Sequence, residues 1–142
     1  MLDRHVPNED DYKSIVLNAY RRTNADWRSS VIANEYPLGA SSVRVDLAIL
    51  GREFIGVEIK SERDSLKRLQ NQVANYSHYF DRVVVAVSDR HLRNLDWAMV
   101  RVAEVWTIDR SGRLKAASSP SEFGEIKCLS DLMPHKVAAS SA

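Results

Sequence analysis

The chain has 142 residues, 44% hydrophobic and 27% charged, which suits one compact globular domain and leaves little room for two. A formal net charge of +1 excludes the uniformly basic surface of a non-specific nucleic-acid coat protein, so any nucleic-acid contact must come from a local patch. Cys128 is the only cysteine, which excludes an internal disulfide and a cysteine-based zinc site; no apolar run reaches membrane-spanning length and the polar start MLDRHVPNEDDYK carries no signal-peptide stretch, so a reducing, cytoplasmic setting with no membrane partner is expected.

In chain order, Pro7-Asn8 followed by Glu9, Asp10 and Asp11 predicts a helix starting near residue 8, because acids suit the positive end of a helix. Tyr12, Ile15, Val16, Ala19 and Tyr20 recur at helical spacing, and the helix should fade between Arg21 and Asn24. Val31 to Tyr36 reads as a strand ended by Pro37 and Gly39. Ser42 to Leu50 and Glu53 to Lys60 read as a hairpin around Gly51-Arg52. Ser61 and Asp64 resemble a helix start, and Leu66, Leu69, Val73, Tyr76 and Phe80 form an apolar stripe, which predicts a helix over 61–80. The run VVVAV at 83–87 predicts a strand buried on both faces. Arg90 to Val100 is expected to be helical with Leu92, Leu95 and Met99 on one face, and Glu104 to Ile108 to be the last strand before a turn at Ser111-Gly112. The domain is expected to span 1–128, with 129–142 a partly disordered tail whose last residues, VAASSA, fray.

The chemistry is concentrated on the predicted hairpin. Glu58 and Lys60 are two apart on a strand and share a face, Ile59 points to the other layer, and Asp46 lies within reach on the adjacent strand. The neighbours Val45, Leu47, Ala48, Ile49, Ile55 and Val57 are apolar, so these ionised groups need partners or a metal. Two adjacent carboxylates repel, and one takes up a proton unless a cation sits between them. A hard divalent ion answers both needs, with Asp46, Glu58 and the Ile59 carbonyl as oxygen ligands and Lys60 orienting or deprotonating a water made acidic by the ion. The alternative is a surface strand whose charges face water.

Asp46, the hairpin and Glu58-Ile59-Lys60 resemble the PD-(D/E)xK nuclease superfamily, and Gln72 with Tyr76 matches the Q-x-x-x-Y helix motif of its exonuclease-like branch. The stretch from Val43 to Val87 is most similar to small, stand-alone bacterial and phage proteins of that superfamily. The resemblance implies an α/β, restriction-endonuclease-like αβββαβ core with a mixed central sheet flanked by helices, an order that the reading of residues 8–88 reaches independently. Val45 stands where the superfamily usually has proline. An acid on the first helix often assists metal binding there, for which Glu9, Asp10 and Asp11 are candidates; Glu35, in the strand before the hairpin, is preferred as a further metal ligand.

Gln72 either positions the scissile phosphate or is an ordinary solvated residue, and Tyr76, one turn on, either supports it at the nucleic acid or belongs to the core. From Lys60 to Arg93 there are seven Lys/Arg against four Asp/Glu, an excess that either holds phosphates or coats a solvated helix face. Arg68, Lys67 and Arg44 are the leading phosphate contacts. The histidines, at 5, 78, 91 and 135, lack metal spacing, with His78 and His91 expected at the surface; Trp27, Trp97 and Trp106 are expected to pack in the core. The expectation is a Mg²⁺-dependent deoxyribonuclease (Mn²⁺ substituting) for repair, recombination or defence, with Asp46, Glu58, Lys60 and Gln72 catalytic. The alternative is a catalytically weak DNA-binding or adaptor protein on the same fold. A homodimer is expected, since two sites would then reach two strands.

Overall fold

The computed structural model describes residues 5–39 and 43–118. The proposed tail at 129–142, and Cys128, lie outside the described residues. The architecture is α/β: one six-stranded mixed sheet carrying helices on its two faces. Helix α1 (Glu9–Thr23) precedes strands β1 (Val31–Pro37), β2 (Arg44–Leu50) and β3 (Phe54–Lys60). Helix α2 (Leu69–Tyr76), β4 (Arg82–Ser88), a short α3 (Asp89–Arg93), β5 (Glu104–Ile108) and β6 (Leu114–Ser118) follow. Each strand lies beside its neighbour in sequence; β1–β2–β3 and β5–β6 pair antiparallel, and β3–β4–β5 pair parallel. None of the helices among the described residues is long and apolar enough to cross a membrane.

Local chemistry explains most boundaries. Asn8 caps α1 through a capping box, its Oδ1 accepting from the Asp11 N–H and its own N–H donating to Asp11, both at 2.9 Å. Two apolar layers sandwich the sheet. Tyr12 and Val16 of α1 pack on Leu47, Ile49, Ile55, Val57 and Ile59. Leu69, Val73 and Tyr76 of α2, with Phe80, pack on Ala48, Leu50, Val83, Val85 and Val87 from the other side. Residues 83–88 are all buried, as a continuous β-branched run requires. At the opposite end of β4, Arg82 clamps Glu104 with bonds of 2.7 and 2.9 Å, tying the starts of β4 and β5 together.

Three expectations are corrected. The helix expected over 61–80 is confined to Leu69–Tyr76. Ser61 donates through both its N–H and its Oγ to Asp64 Oδ2 (2.8 and 2.9 Å), closing a local turn rather than opening a helix, and the Lys67 N–H turns back to Ser65 Oγ. The helix expected over 90–100 breaks into α3 and a 3₁₀ turn, Trp97–Val100, because Asp96 accepts from the Ala98 N–H and starts a new cap. Leu95 is buried accordingly, but Met99 is 43% exposed. Strand β6, five residues without strict alternation, was not expected; the turn at Ser111-Gly112 leads into it, with Gly112 at φ +84°.

Gly56 sets how closely α2 approaches the sheet. A Cβ there would lie 2.5 Å from Phe80 Cδ2. Gly56→Ala should therefore lower the unfolding free energy by about 1–3 kcal/mol in urea denaturation, the range for overpacking a filled core. Phe80→Leu in the Gly56→Ala background should recover part of that loss, and unchanged stability in the single variant would contradict the packing described.

Candidate metal centre

The site begins where the β2–β3 ladder breaks. Paired residues run from Leu50↔Phe54 to Leu47↔Val57 and stop, although continued register would set Asp46 opposite Glu58. Instead the Ile59 N–H donates to Asp46 Oδ2 at 2.8 Å, so a side-chain carboxylate takes the place of a backbone carbonyl. The alternation of β2 slips here: Val45 packs in the α2-side layer with Ala48 and Leu50, whereas Leu47 and Ile49 pack on the α1 side. Across from Asp46 on β1, Glu35 falls between the pairs Asn34↔Leu47 and Tyr36↔Val45 and holds φ +48°. That left-handed conformation costs a non-glycine residue roughly 1–2 kcal/mol and survives only where its surroundings enforce it.

Two carboxyl groups meet in the gap. The Asp46 and Glu58 side chains are in hydrogen-bonding contact, and burial first, then the Glu58 charge, push Asp46 up to about 7 against the downward pull of the Ile59 N–H. Glu58 is 2% exposed and both its oxygens are engaged. Oε1 accepts from the Tyr76 hydroxyl at 2.6 Å, and Oε2 lies 3.3 Å from Lys60 Nζ. The Tyr76 hydroxyl also lies 3.0 Å from the Arg44 carbonyl. Burial and then the adjacent Glu58 drive the Tyr76 phenol well above its ordinary range, so it stays a proton donor.

A second group of acids approaches from the α1 side. Glu9, Glu35 and Asp46 bring carboxylate oxygens within 4.8 Å of one another. Burial first, and Asp46 next, raise Glu9 above the usual carboxylate range. Lys13 Nζ lies 3.4 Å from Glu35 Oε1. Among the described residues, Glu9, Glu35, Asp46 and Glu58 thus converge, with the ammonium groups of Lys13 and Lys60 beside Glu35 and Glu58. An all-oxygen donor set with excess negative charge fits a hard divalent cation.

Of the residues expected at the site, Asp46, Glu58, Lys60 and Glu35 gather, and Glu9 is the acid of the first helix that joins them. Ile59 enters through its N–H, while its side chain lies in the α1-side core. Tyr76, expected at the nucleic acid or in the core, is fully buried in the core, and its hydroxyl donates to Glu58. Gln72, one turn earlier, is half-buried, and its Oε1 is buried with no hydrogen-bond partner among the described residues. Arg44, Lys67 and Arg68 are exposed. An open cleft of about 650 Å³, lined by His5, Pro7, Asn8, Ser61, Glu62 and Arg63, adjoins the residues next to Glu9 and Lys60.

Sequence reasoning missed Lys13, although Glu9 and Lys13 are four apart and therefore share a helix face. His91, expected at the surface, is 6% exposed, because its own N–H donates to the Ser88 cap and draws the residue onto the sheet. Of the tryptophans, Trp106 packs against the α1-side core as expected, and the other two depart from it. Trp97 is 45% exposed, and half-buried Trp27 carries the guanidinium groups of Arg21 and Arg28, 4.9 and 4.5 Å from its ring centroid.

Folded Asp46 binds its proton more tightly than the unfolded chain does. The stability so gained is complete below the ordinary value of 3.8 and is lost as pH rises to about 7. In chelator, Tm should fall between about pH 4 and pH 7, and Asp46→Asn should flatten that slope; a rising Tm would contradict it. Glu35→Val should cost about 1–2 kcal/mol because a branched Cβ resists positive φ, whereas Glu35→Asn should leave stability nearly unchanged, both read by urea denaturation.

Comparison with curated proteins and with solved structures gives no match. A family model described as "Bacteriophage P4 protein cII" matches residues 3–134. Because that match spans almost the whole chain, α1 and the acid-lined break in the sheet included, the protein belongs to the bacteriophage P4 protein cII family.

Proposed function

We propose that the protein is a metal-dependent phosphodiesterase that cuts DNA, on a restriction-endonuclease-like form of its α/β sheet. The observation that carries this reading is the contact between the Asp46 and Glu58 carboxyl groups inside an apolar sheet, with Lys60 beside Glu58. The order of helix, three antiparallel strands, crossover helix and parallel strand supports the fold assignment. Nucleases of repair, recombination or defence are the class that such a site fits.

Asp46, Glu9 and Glu35 would hold Mg²⁺, or Mn²⁺ in its place, with Glu58 alongside. Bound there, the ion would supply Lewis acidity toward a phosphate oxygen and lower the pKa of a water. The remaining work falls to the chain's own groups. Lys60, held by Glu58, moves the proton of the attacking water and meets charge developing on the phosphate. Tyr76 fixes Glu58 so that this geometry does not drift. Gln72 positions the phosphate through its side-chain amide. The cleft beside Ser61 and Asn8 admits the strand, and Arg44, Lys67 and Arg68 take neighbouring phosphates.

One observation favours a second reading, a catalytically weak DNA-binding or adaptor protein. Both Glu58 oxygens already have partners within the chain, so this half of the site is satisfied by Tyr76 and Lys60 alone. Titration with Mn²⁺ separates the two: the nuclease reading expects calorimetric binding at millimolar concentration or below, the adaptor reading none.

The nuclease reading expects Mg²⁺-dependent cleavage across a panel of DNA forms, abolished in excess EDTA. Asp46→Ala should remove cleavage, and Lys60→Met should lower kcat by about 10²–10⁴, with circular dichroism unchanged in both. Equal cleavage with and without EDTA would overturn the mechanism.

A further inference from the structure

At the ends of α1 and of the β2–β3 hairpin that lie away from the acid centre, three elements bring arginines together. Arg21 and Arg22 belong to the last turn of α1, Arg28 to the 3₁₀ turn Trp27–Ser29, and Arg52 to the turn between β2 and β3. All four are exposed. Side chains join the three elements where they meet: the Tyr20 hydroxyl and Ser30 Oγ are 2.7 Å apart, a Cβ on Gly51 would lie 2.6 Å from Ser30 Oγ, and Arg52 Nε is 3.0 Å from Asp26.

The helix dipole accounts for cations in the last turn of α1, but not for Arg28 and Arg52, which come from other elements. Nor does it account for Trp27, whose ring carries the guanidinium groups of both Arg21 and Arg28. One shared ring holds these two like charges within about 10 Å, a single Debye length in 0.1 M salt, where their repulsion is not fully screened. Of the acids beside them, Asp26 is taken by Arg52 and Glu53 by Arg82, at 3.4 Å. An anion brought to this surface therefore relieves a repulsion built into it. Planar arginine forks on an aromatic support suit phosphate oxygens. The position suits a polyanion that also reaches the acid centre. Glu9 to Arg21 is roughly 18 Å along α1, and Asp46 to Arg52 is roughly 20 Å along the hairpin. On a duplex that rises about 3.4 Å per base pair, this is about five to six base pairs.

We propose that Arg21, Arg22, Arg28 and Arg52, supported by Trp27, form a second DNA contact that grips duplex phosphates about five to six base pairs from the acid centre. An acidic centre repels the polyanion it would cut, and the net charge of the chain is only +1, so the attraction has to come from a local basic surface. The location of the cut rests on the nuclease reading, whereas the contact itself needs neither a metal nor cleavage.

Fluorescence anisotropy on the full chain, with a labelled duplex two helical turns long and EDTA present, tests the contact apart from cleavage. Joint Arg22→Ala and Arg28→Ala substitution should weaken binding at least about tenfold at low salt and flatten the slope of log K against log salt by about 1.8, the loss of two phosphate contacts. Joint Arg93→Ala and Arg113→Ala substitution, which removes the same charge from exposed positions elsewhere, should leave that slope unchanged. Asp46→Ala should bind as tightly as the unaltered chain, so absent cleavage with intact binding would sink the nuclease reading and leave this contact standing. An unchanged slope in the Arg22/Arg28 variant, or an equal loss in the Arg93/Arg113 variant, would overturn the proposal. Tighter binding to phosphatidylserine vesicles than to the duplex at the same salt would also overturn it, because the surface would then serve a membrane.

Discussion

A β-sheet demands a hydrogen bond for each buried amide, and at Ile59 that bond comes from a side chain. Because Asp46 Oδ2 accepts from the Ile59 N–H, β2 and β3 can part without leaving the amide orphaned. The parting makes room for two carboxyl groups where a regular ladder would have packed apolar side chains. Everything acidic in the centre follows from it: Glu58 turns toward Tyr76 and Lys60, Glu35 is held in a strained conformation opposite, and the first turn of α1 comes close enough for Glu9 to join.

The two sides of the centre are built differently. On the α2 side the chain satisfies itself: Glu58 is almost fully buried and each of its oxygens has a partner. On the α1 side Glu9, Glu35 and Asp46 crowd together, with Lys13 beside Glu35. A buried, fully paired anion is a positioning device, whereas an open group of like charges is a place for a cation. Glu58 and Tyr76 therefore form the fixed frame, and the Asp46 side is where a cation, were one bound, would change the electrostatics most.

Much of this was legible in the residues. Period-two alternation placed Glu58 and Lys60 on one face and Ile59 on the other, and apolar neighbours marked them as buried. Which of Glu9, Asp10 and Asp11 faces the sheet was not legible, because that depends on the rotation of α1 set by Tyr12 and Val16 against β2 and β3. The slip in β2 at Asp46 was equally hidden, since it arises from a hydrogen bond between strands. The start of α2 was misread because a serine followed three residues later by an acid serves a capping box and an isolated turn alike, and Ser61 with Asp64 forms the turn. Strand β6 gave little signal because Leu114–Ser118 is short, small-residued and at the edge of the sheet, where neither strong alternation nor bulk is required.

The sequential order of the strands bears on how the centre assembles. Every strand pairs with the one before it, so no strand needs a partner from the far end of the chain. The β1–β2–β3 meander needs no distant partner, so Asp46, Glu35 and Glu58 are brought side by side by local closure. Tyr76 arrives only with the crossover to β4. The phenol that donates to Glu58 thus comes from outside the meander that carries the carboxylate. The burial of Glu58 is therefore tied to the docking of α2: a change that loosens that helix also uncovers the carboxylate.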